Sequence, residues 1–121
     1  MKNGFDPAEY WNAVINKDEC AMRAFFREDA RVYWPNTGEA FTAEGFIRMN
    51  CAYPGEWKGE VERVHRAADD EGLYVAAAHI CAADDPSVSF HAVSFITVRG
   101  GLIARIDEYW GDDGEPPEWR R

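Results

Sequence analysis

The pattern of apolar and polar residues changes period along the chain. Tyr10, Trp11, Val14 and Ile15 recur at helical spacing behind Asp6-Pro7-Ala8-Glu9. In that segment Asp6 can cap, Pro7 suits the first helical position and Glu9 can reach back, so a first helix is predicted. A second, short helix is predicted from about Glu19 to Phe26, capped by Asp18, with Met22, Phe25 and Phe26 turned inward. A short strand, Ala30 to Trp34, ends in a turn at Pro35 and Gly38. Thr42 then caps a third helix that carries Phe46, Ile47, Asn50 and Tyr53 on one side, until Pro54-Gly55 stops it. From Trp57 the period becomes two, and strands are predicted over Trp57 to Ala67, Leu73 to Ala83, Ser87 to Val98 and Leu102 to Trp110. The turns between them are Asp69-Asp70-Glu71-Gly72, Asp84-Asp85-Pro86 and Arg99-Gly100-Gly101. The order is thus two helices, a short strand, a third helix and then only strands.

The turns also propose a register. A two-residue loop at Asp85-Pro86 places His79 opposite Ala92, Cys81 opposite Phe90 and Ile80 opposite His91. A three-residue connection, Arg99 to Gly101, places Glu108 opposite Ala92, Trp110 opposite Phe90 and Ile106 opposite Ser94. His79, Ala92 and Glu108 then form one cross-strand row on the face that carries Trp110. A slip of one residue would move a whole strand's members to the other face. Glu108 on an inward position needs a partner or a raised pKa. His79 reads either as an acid-base group or as a satisfied interior histidine. On the opposite, convex face the same register puts His91, Val93, Phe95, Ile80 and Ile103. So large an apolar patch predicts a homodimer with a two-fold, self-complementary interface.

Three marks give the chain a family resemblance: Phe25-Phe26-x-x-Asp29-Ala30 ahead of the first strand, Gly101-x-Ile103 at the start of the last, and Glu108-Tyr109-Trp110 at its end. With the order of helices and strands, they make Pro7 to Trp110 resemble the nuclear transport factor 2-like superfamily. Within it the chain is most similar to the SnoaL-like branch of polyketide cyclases, ketosteroid isomerases and dehydratases. The resemblance implies a cone-shaped α+β barrel, with three N-terminal helices packed on a strongly curved, mostly antiparallel sheet around one internal pocket. It also implies that Tyr10 stands at the isomerases' oxyanion-stabilising tyrosine, Ser94 at their protonated aspartic acid and Trp110 at a pocket aromatic. Trp34 falls where those enzymes carry their aspartate general base, so the resemblance implies the pocket without the isomerase activity.

Composition narrows the function further. The 121 residues, 46% of them hydrophobic, suffice for one domain over 1–121, with 111–121 as a C-terminal tail anchored by Trp119. Its 22 acidic against 13 basic residues, a net charge of −9, exclude a nucleic-acid binder that works by neutralising phosphates. No apolar run is long enough for a membrane span or a secretory leader, so no membrane partner and a cytoplasmic setting are expected. Cys20, Cys51 and Cys81 are odd in number and have no CxxC spacing, and are expected to be buried free thiols. No P-loop, dinucleotide fingerprint, HExxH or Gly-x-Ser-x-Gly motif occurs, so no cofactor and no metal are expected.

What remains is binding of a small hydrophobic or aromatic molecule, with cofactor-free proton transfer of lyase, dehydratase, cyclase or isomerase type. His79 and Glu108 are the acid-base candidates and Tyr10 the hydrogen-bond donor. Trp34, Ser94, Ala92, Ile106 and Trp110 are the ligand-facing residues. The alternative is a non-catalytic ligand-binding or dimeric protein-interaction domain. An enclosed pocket holding both ionisable groups would favour catalysis; one collapsed around Trp34 and Trp110 would favour the alternative.

Overall fold

The computed structural model describes residues 4–121. Three helices, α1 (Pro7–Ile15), α2 (Glu19–Phe25) and α3 (Ala43–Ala52), accompany six strands: β1 (Phe26–Trp34), β2 (Glu39–Thr42), β3 (Trp57–Arg66), β4 (Leu73–Ala82), β5 (Asp85–Arg99) and β6 (Leu102–Asp112). Each helix starts as its sequence predicts. The side chains of Asp6, Asp18 and Thr42 accept hydrogen bonds from the backbone N–H of Ala8, Ala21 and Gly45. Such a cap is worth about 1 kcal/mol. At the far end of α1, Lys17 takes the left-handed conformation at φ 55°, and the Lys17 and Asp18 N–H groups donate to the carbonyls of Val14 and Ala13. These are the two bonds of a Schellman ending.

The strands form one mixed sheet in the order β2-β1-β6-β5-β4-β3, parallel between β1 and β6 and antiparallel elsewhere. This is the α+β architecture expected, although the sheet is not closed: β2 and β3 remain as its edges. Strand β2 was not foreseen. Its four residues pair back onto β1 through a turn in which Gly38 adopts φ 73°, and they are too few for an alternating pattern to register.

The inner face carries Ala30 and Val32 of β1, Tyr74, Ala76, Ala78 and Ile80 of β4, Ala92, Ser94 and Ile96 of β5, and Ile103, Ile106 and Glu108 of β6, all buried. Helix α1 packs over β3 and β4, and α3 over β1. Alanines at the middle of β4 and β5 leave room above the sheet for helix-borne aromatics. Tyr10 meets Phe5, Phe25 and Phe26 at ring separations of 6.2, 5.6 and 5.8 Å.

Two turns depart from the loop lengths expected, with different consequences. Between β4 and β5 the chain turns at Ala83-Asp84, and Ala82 pairs with Asp85; Cys81 then pairs with Ser89, leaving Pro86, Ser87 and Val88 without partners. Proline has no N–H for the ladder, and the Asp85 carboxylate folds the bulge by accepting from the Ser87 N–H and hydroxyl. The result is a register one residue away from the one expected: His79 pairs with His91, and Ala78 with Ala92. His79 therefore lies on the outer face and Ile80 on the inner, the reverse of the sequence reading.

Between β5 and β6 the loop is only Gly100-Gly101, both left-handed at φ 62° and 82°, as a tight two-residue hairpin needs. A bulge at Ala104 follows, because Thr97 pairs with Arg105 but Val98 with Ile103. Together these move the register by two residues. Glu108 keeps its inward face but sits opposite Ser94 instead of Ala92, Trp110 opposite Ala92, and Ile106 opposite Ile96. The bulge also turns Ile103 inward, where it is fully buried, instead of onto the convex face. Two smaller expectations fail on exposure. Cys20 is exposed, Cys51 half-buried and only Cys81 buried. Trp119 is 81% exposed in a 3-10 turn over Glu118–Arg120 and anchors nothing.

Candidate functional site

A cavity of about 140 Å³ opens between the helices and the inner face of the sheet. Trp11 and Val14 of α1, Phe46 and Met49 of α3, and Trp34, Ile80, Phe90, Ala92 and Trp110 of the sheet form its apolar wall. Lys17, Tyr53, Trp57 and Asp112 line it nearer the surface, and Ile15 and Asn50 are also part of the lining. Lys17 is committed there: its ammonium donates to the carbonyls of Tyr53 and Gly55, tying the α1–α2 turn to the end of α3.

Glu108 is the one acid in the deep wall. It is 5% exposed, accepts from the Trp34 indole N–H at 3.1 Å and lies 2.6 Å from the Ser94 hydroxyl. Burial pushes its pKa above the ordinary carboxylate value, and these two hydrogen bonds draw it part of the way back. Both partners are placed by strand pairing, Ser94 directly across from Glu108 on β5 and Trp34 at the end of β1, beside β6. The Trp34 ring is held edge-on between Phe41 at 5.2 Å, Trp110 at 5.8 Å and Phe46 at 6.3 Å. The loop after β1 fastens the same corner, for the Asn36 side-chain oxygen accepts from the Trp110 backbone N–H at 3.1 Å.

Of the residues expected at the site, Glu108, Trp34, Ala92 and Trp110 line the cavity. Ser94 stands behind Glu108 as its hydrogen-bond partner, and Ile106 is core beneath the site. Tyr10 is fully buried and does not line the cavity; its hydroxyl makes no hydrogen bond. Burial, and then the charge of Glu108, hold its pKa well above the usual phenol range. His79 is absent from the site: 35% of its side chain is exposed, and it stacks on His91 across the outer face.

Trp11, Phe46, Met49, Phe90 and Trp57 were not foreseen as lining. For Trp11 and Phe46 the helical spacing had marked an inward face, but not what that face would meet. The indole N–H groups of Trp11 and Trp110, both on lining residues, are buried without a hydrogen-bond partner. A buried donor left unpaired costs about 1–3 kcal/mol. The arrangement can thus hold an apolar ring beside the Glu108 carboxyl and exchange a proton through it.

Comparison with solved structures gives the same fold repeatedly. A candidate ketosteroid isomerase from Kribbella flavida DSM 17836 is 26% identical, with a TM-score of 0.76, and the match covers 90% of this chain and 77% of that one. A candidate polyketide cyclase from Sinorhizobium meliloti shares 18% identity at a TM-score of 0.67, over 83% of this chain and 89% of that one. An LEH-like epoxide hydrolase from M. tuberculosis shares 15% at 0.67, over 85% and 77%. No protein of curated function matches. These neighbours share the helix order and the curved sheet that bring Glu108, Trp34 and Trp110 together here. The SnoaL-like domain pattern itself matches residues 8–106, most of both layers of the fold, and the chain belongs to the SnoaL-like family.

Proposed function

We propose that the cavity binds a small, largely apolar molecule, about one aromatic ring in size and bearing an oxygen function, and that Glu108 transfers a proton to and from it. One observation carries this reading: a buried carboxyl, held by Ser94 and Trp34, stands in the largely apolar, aromatic-rich deep wall of the cavity. An apolar cavity of about 150 Å³ accommodates benzene, which sets the scale for a space of 140 Å³. Glu108 in its protonated form donates to the substrate oxygen. The carboxylate left behind is stabilised by N–H and O–H donation from Trp34 and Ser94, and it takes a proton back when the product forms. This is the chemistry of an isomerase, dehydratase or cyclase step, and proteins named for isomerase, cyclase and epoxide hydrolase activities share the fold. A tryptophan in place of the aspartate base and a one-ring cavity both argue against a steroid substrate.

The reading replaces a two-residue mechanism by a single acid-base group, since His79 faces outward. Tyr10, fully buried and without a hydrogen bond, packs in the core behind the wall. A cytoplasmic setting agrees with three unpaired cysteines, one of them exposed.

Four of the five tryptophans line the cavity, so intrinsic fluorescence reports on its occupancy. Titration with a panel of phenols, aromatic ketones and cyclic enones should give saturable quenching or a blue shift with at least one of them. Ala92→Leu, which fills the middle of the cavity, should weaken that binding at least tenfold while the protein stays folded. A panel without any saturable change, or binding indifferent to Ala92→Leu, would refute the cavity as the binding site.

We also propose that two copies associate through the outer face of the sheet. Phe95 and Tyr109 are 37% and 47% exposed there and meet edge to face at 6.1 Å. Light scattering at micromolar concentration should give a dimer mass that Phe95→Glu shifts to the monomer. A monomer mass for both proteins would refute the interface.

A further inference from the structure

On the outer face, at the end of the sheet where β4 and β5 join, the strand pairing assembles a cluster that no sequence motif announces. We propose that Glu62, His79 and His91 form a binding site for one divalent transition-metal ion, specifically Zn²⁺, with Asp113 orienting His91. His79 and His91 are directly paired across β4 and β5, and their rings stack at 4.7 Å with 19° between planes. Glu62 is the unpaired residue of a bulge in β3, for Val61 pairs with Ala78 and Arg63 already with Ala77. A bulge re-aims a side chain in this way, here toward the two imidazoles.

One possible ligand atom from each of the three residues lies within 4.8 Å of the other two. Bonds of 2.0–2.1 Å at tetrahedral angles place two ligand atoms about 3.3–3.4 Å apart. The Glu62 Oε1 to His91 Nε2 separation is already 3.4 Å. His79 must close by up to about 1.4 Å to reach the same spacing, a movement open to side chains that are between 35% and 48% exposed.

A second, independent feature points the same way. Asp113 Oδ1 lies 2.5 Å from His91 Nδ1. A carboxylate only accepts, so Nδ1 carries the hydrogen, and Nε2, which faces Glu62 Oε1 at 3.4 Å, is the nitrogen left to bind a metal once it carries no proton. A carboxylate that fixes the tautomer of a histidine is the usual second layer of a zinc site. Asp113 is itself fixed, by the Ser89 hydroxyl at 2.6 Å and by its own N–H donating to the Ser89 carbonyl. Two imidazoles and one carboxylate suit Zn²⁺ better than Mg²⁺ or Ca²⁺, which prefer oxygen alone, and three protein ligands leave a position for water.

The test is calorimetric titration of untagged, chelator-treated protein with ZnCl₂, repeated with Co²⁺ for its visible spectrum. One ion should bind per chain, with ligand-field bands but no thiolate charge-transfer band. His79→Ala and His91→Ala should each weaken binding at least tenfold, and Asp113→Asn by about 10- to 100-fold, the usual effect of removing an orienting partner. Cys20→Ser should leave it unchanged, and so should Phe95→Glu, which separates the site from the dimer. Far-ultraviolet circular dichroism of each variant verifies folding. Absence of saturable binding, binding that survives the double histidine substitution, or a thiolate band would each overturn the assignment.

Discussion

Glu108→Gln is expected to lower turnover of any substrate processed in the cavity by about 10² to 10⁴, the range for one positioned acid-base group, with little change in ligand binding. Glutamine keeps the shape and can still accept from Trp34 and donate to Ser94, so only the proton is lost. The same variant reads out the buried carboxyl in stability. The folded pKa of Glu108 is raised, by burial first, above the unfolded value near 4.5. The folded state therefore holds a proton that the unfolded state releases. The protonated group's contribution is complete below the unfolded pKa and is lost as pH rises through the folded one. Within that window the native protein should lose stability relative to Glu108→Gln, with a slope of up to about 1.4 kcal/mol per pH unit. Urea midpoints of both proteins from pH 4 to pH 8, roughly the interval in which a raised carboxyl titrates, measure it. A flat difference would mean that Glu108 titrates as an ordinary exposed carboxyl.

Ile103→Ala and Ile106→Ala should each cost about 2–5 kcal/mol, a large share of the 5–15 kcal/mol that holds a typical domain together. Both side chains are fully buried although they lie three residues apart on one strand. Strict alternation would put one of them in water, and the bulge at Ala104 is what turns both inward. Chemical denaturation with an unchanged m-value would report the loss. A near-neutral result for Ile103→Ala would restore the unbulged register and move Glu108 relative to Ser94.

The two predictions test different parts of one construction. The bulge positions Ser94 against Glu108, and that pairing lets a carboxyl sit in an aromatic wall without a cationic partner. Removing the acid should silence the chemistry while the fold persists. Emptying either isoleucine site should weaken the fold that aligns the acid.

Local chemistry in the sequence determined much of this protein. The caps Asp6, Asp18 and Thr42, the helical spacing of Tyr10, Trp11 and Val14, and the change to alternation after Trp57 act between near neighbours, so helices, strands and their order were legible. The inward face of Glu108 was legible too, because its displacement is even and a two-residue shift preserves the side of the sheet. Only the tertiary structure decided what Glu108 meets. Register depends on how many residues each turn and bulge absorbs, and the unpaired Pro86, Ser87 and Val88 are odd in number. That count carried His79 from the expected pocket row to the outer face, beside His91 and Glu62. Turn residues announce that a chain reverses; the packing of both strands against the helices selects which residues drop out of the ladder. The same long-range pairing brought Trp34 of β1 onto Glu108 of β6, a contact across 74 positions of sequence that no local pattern contains.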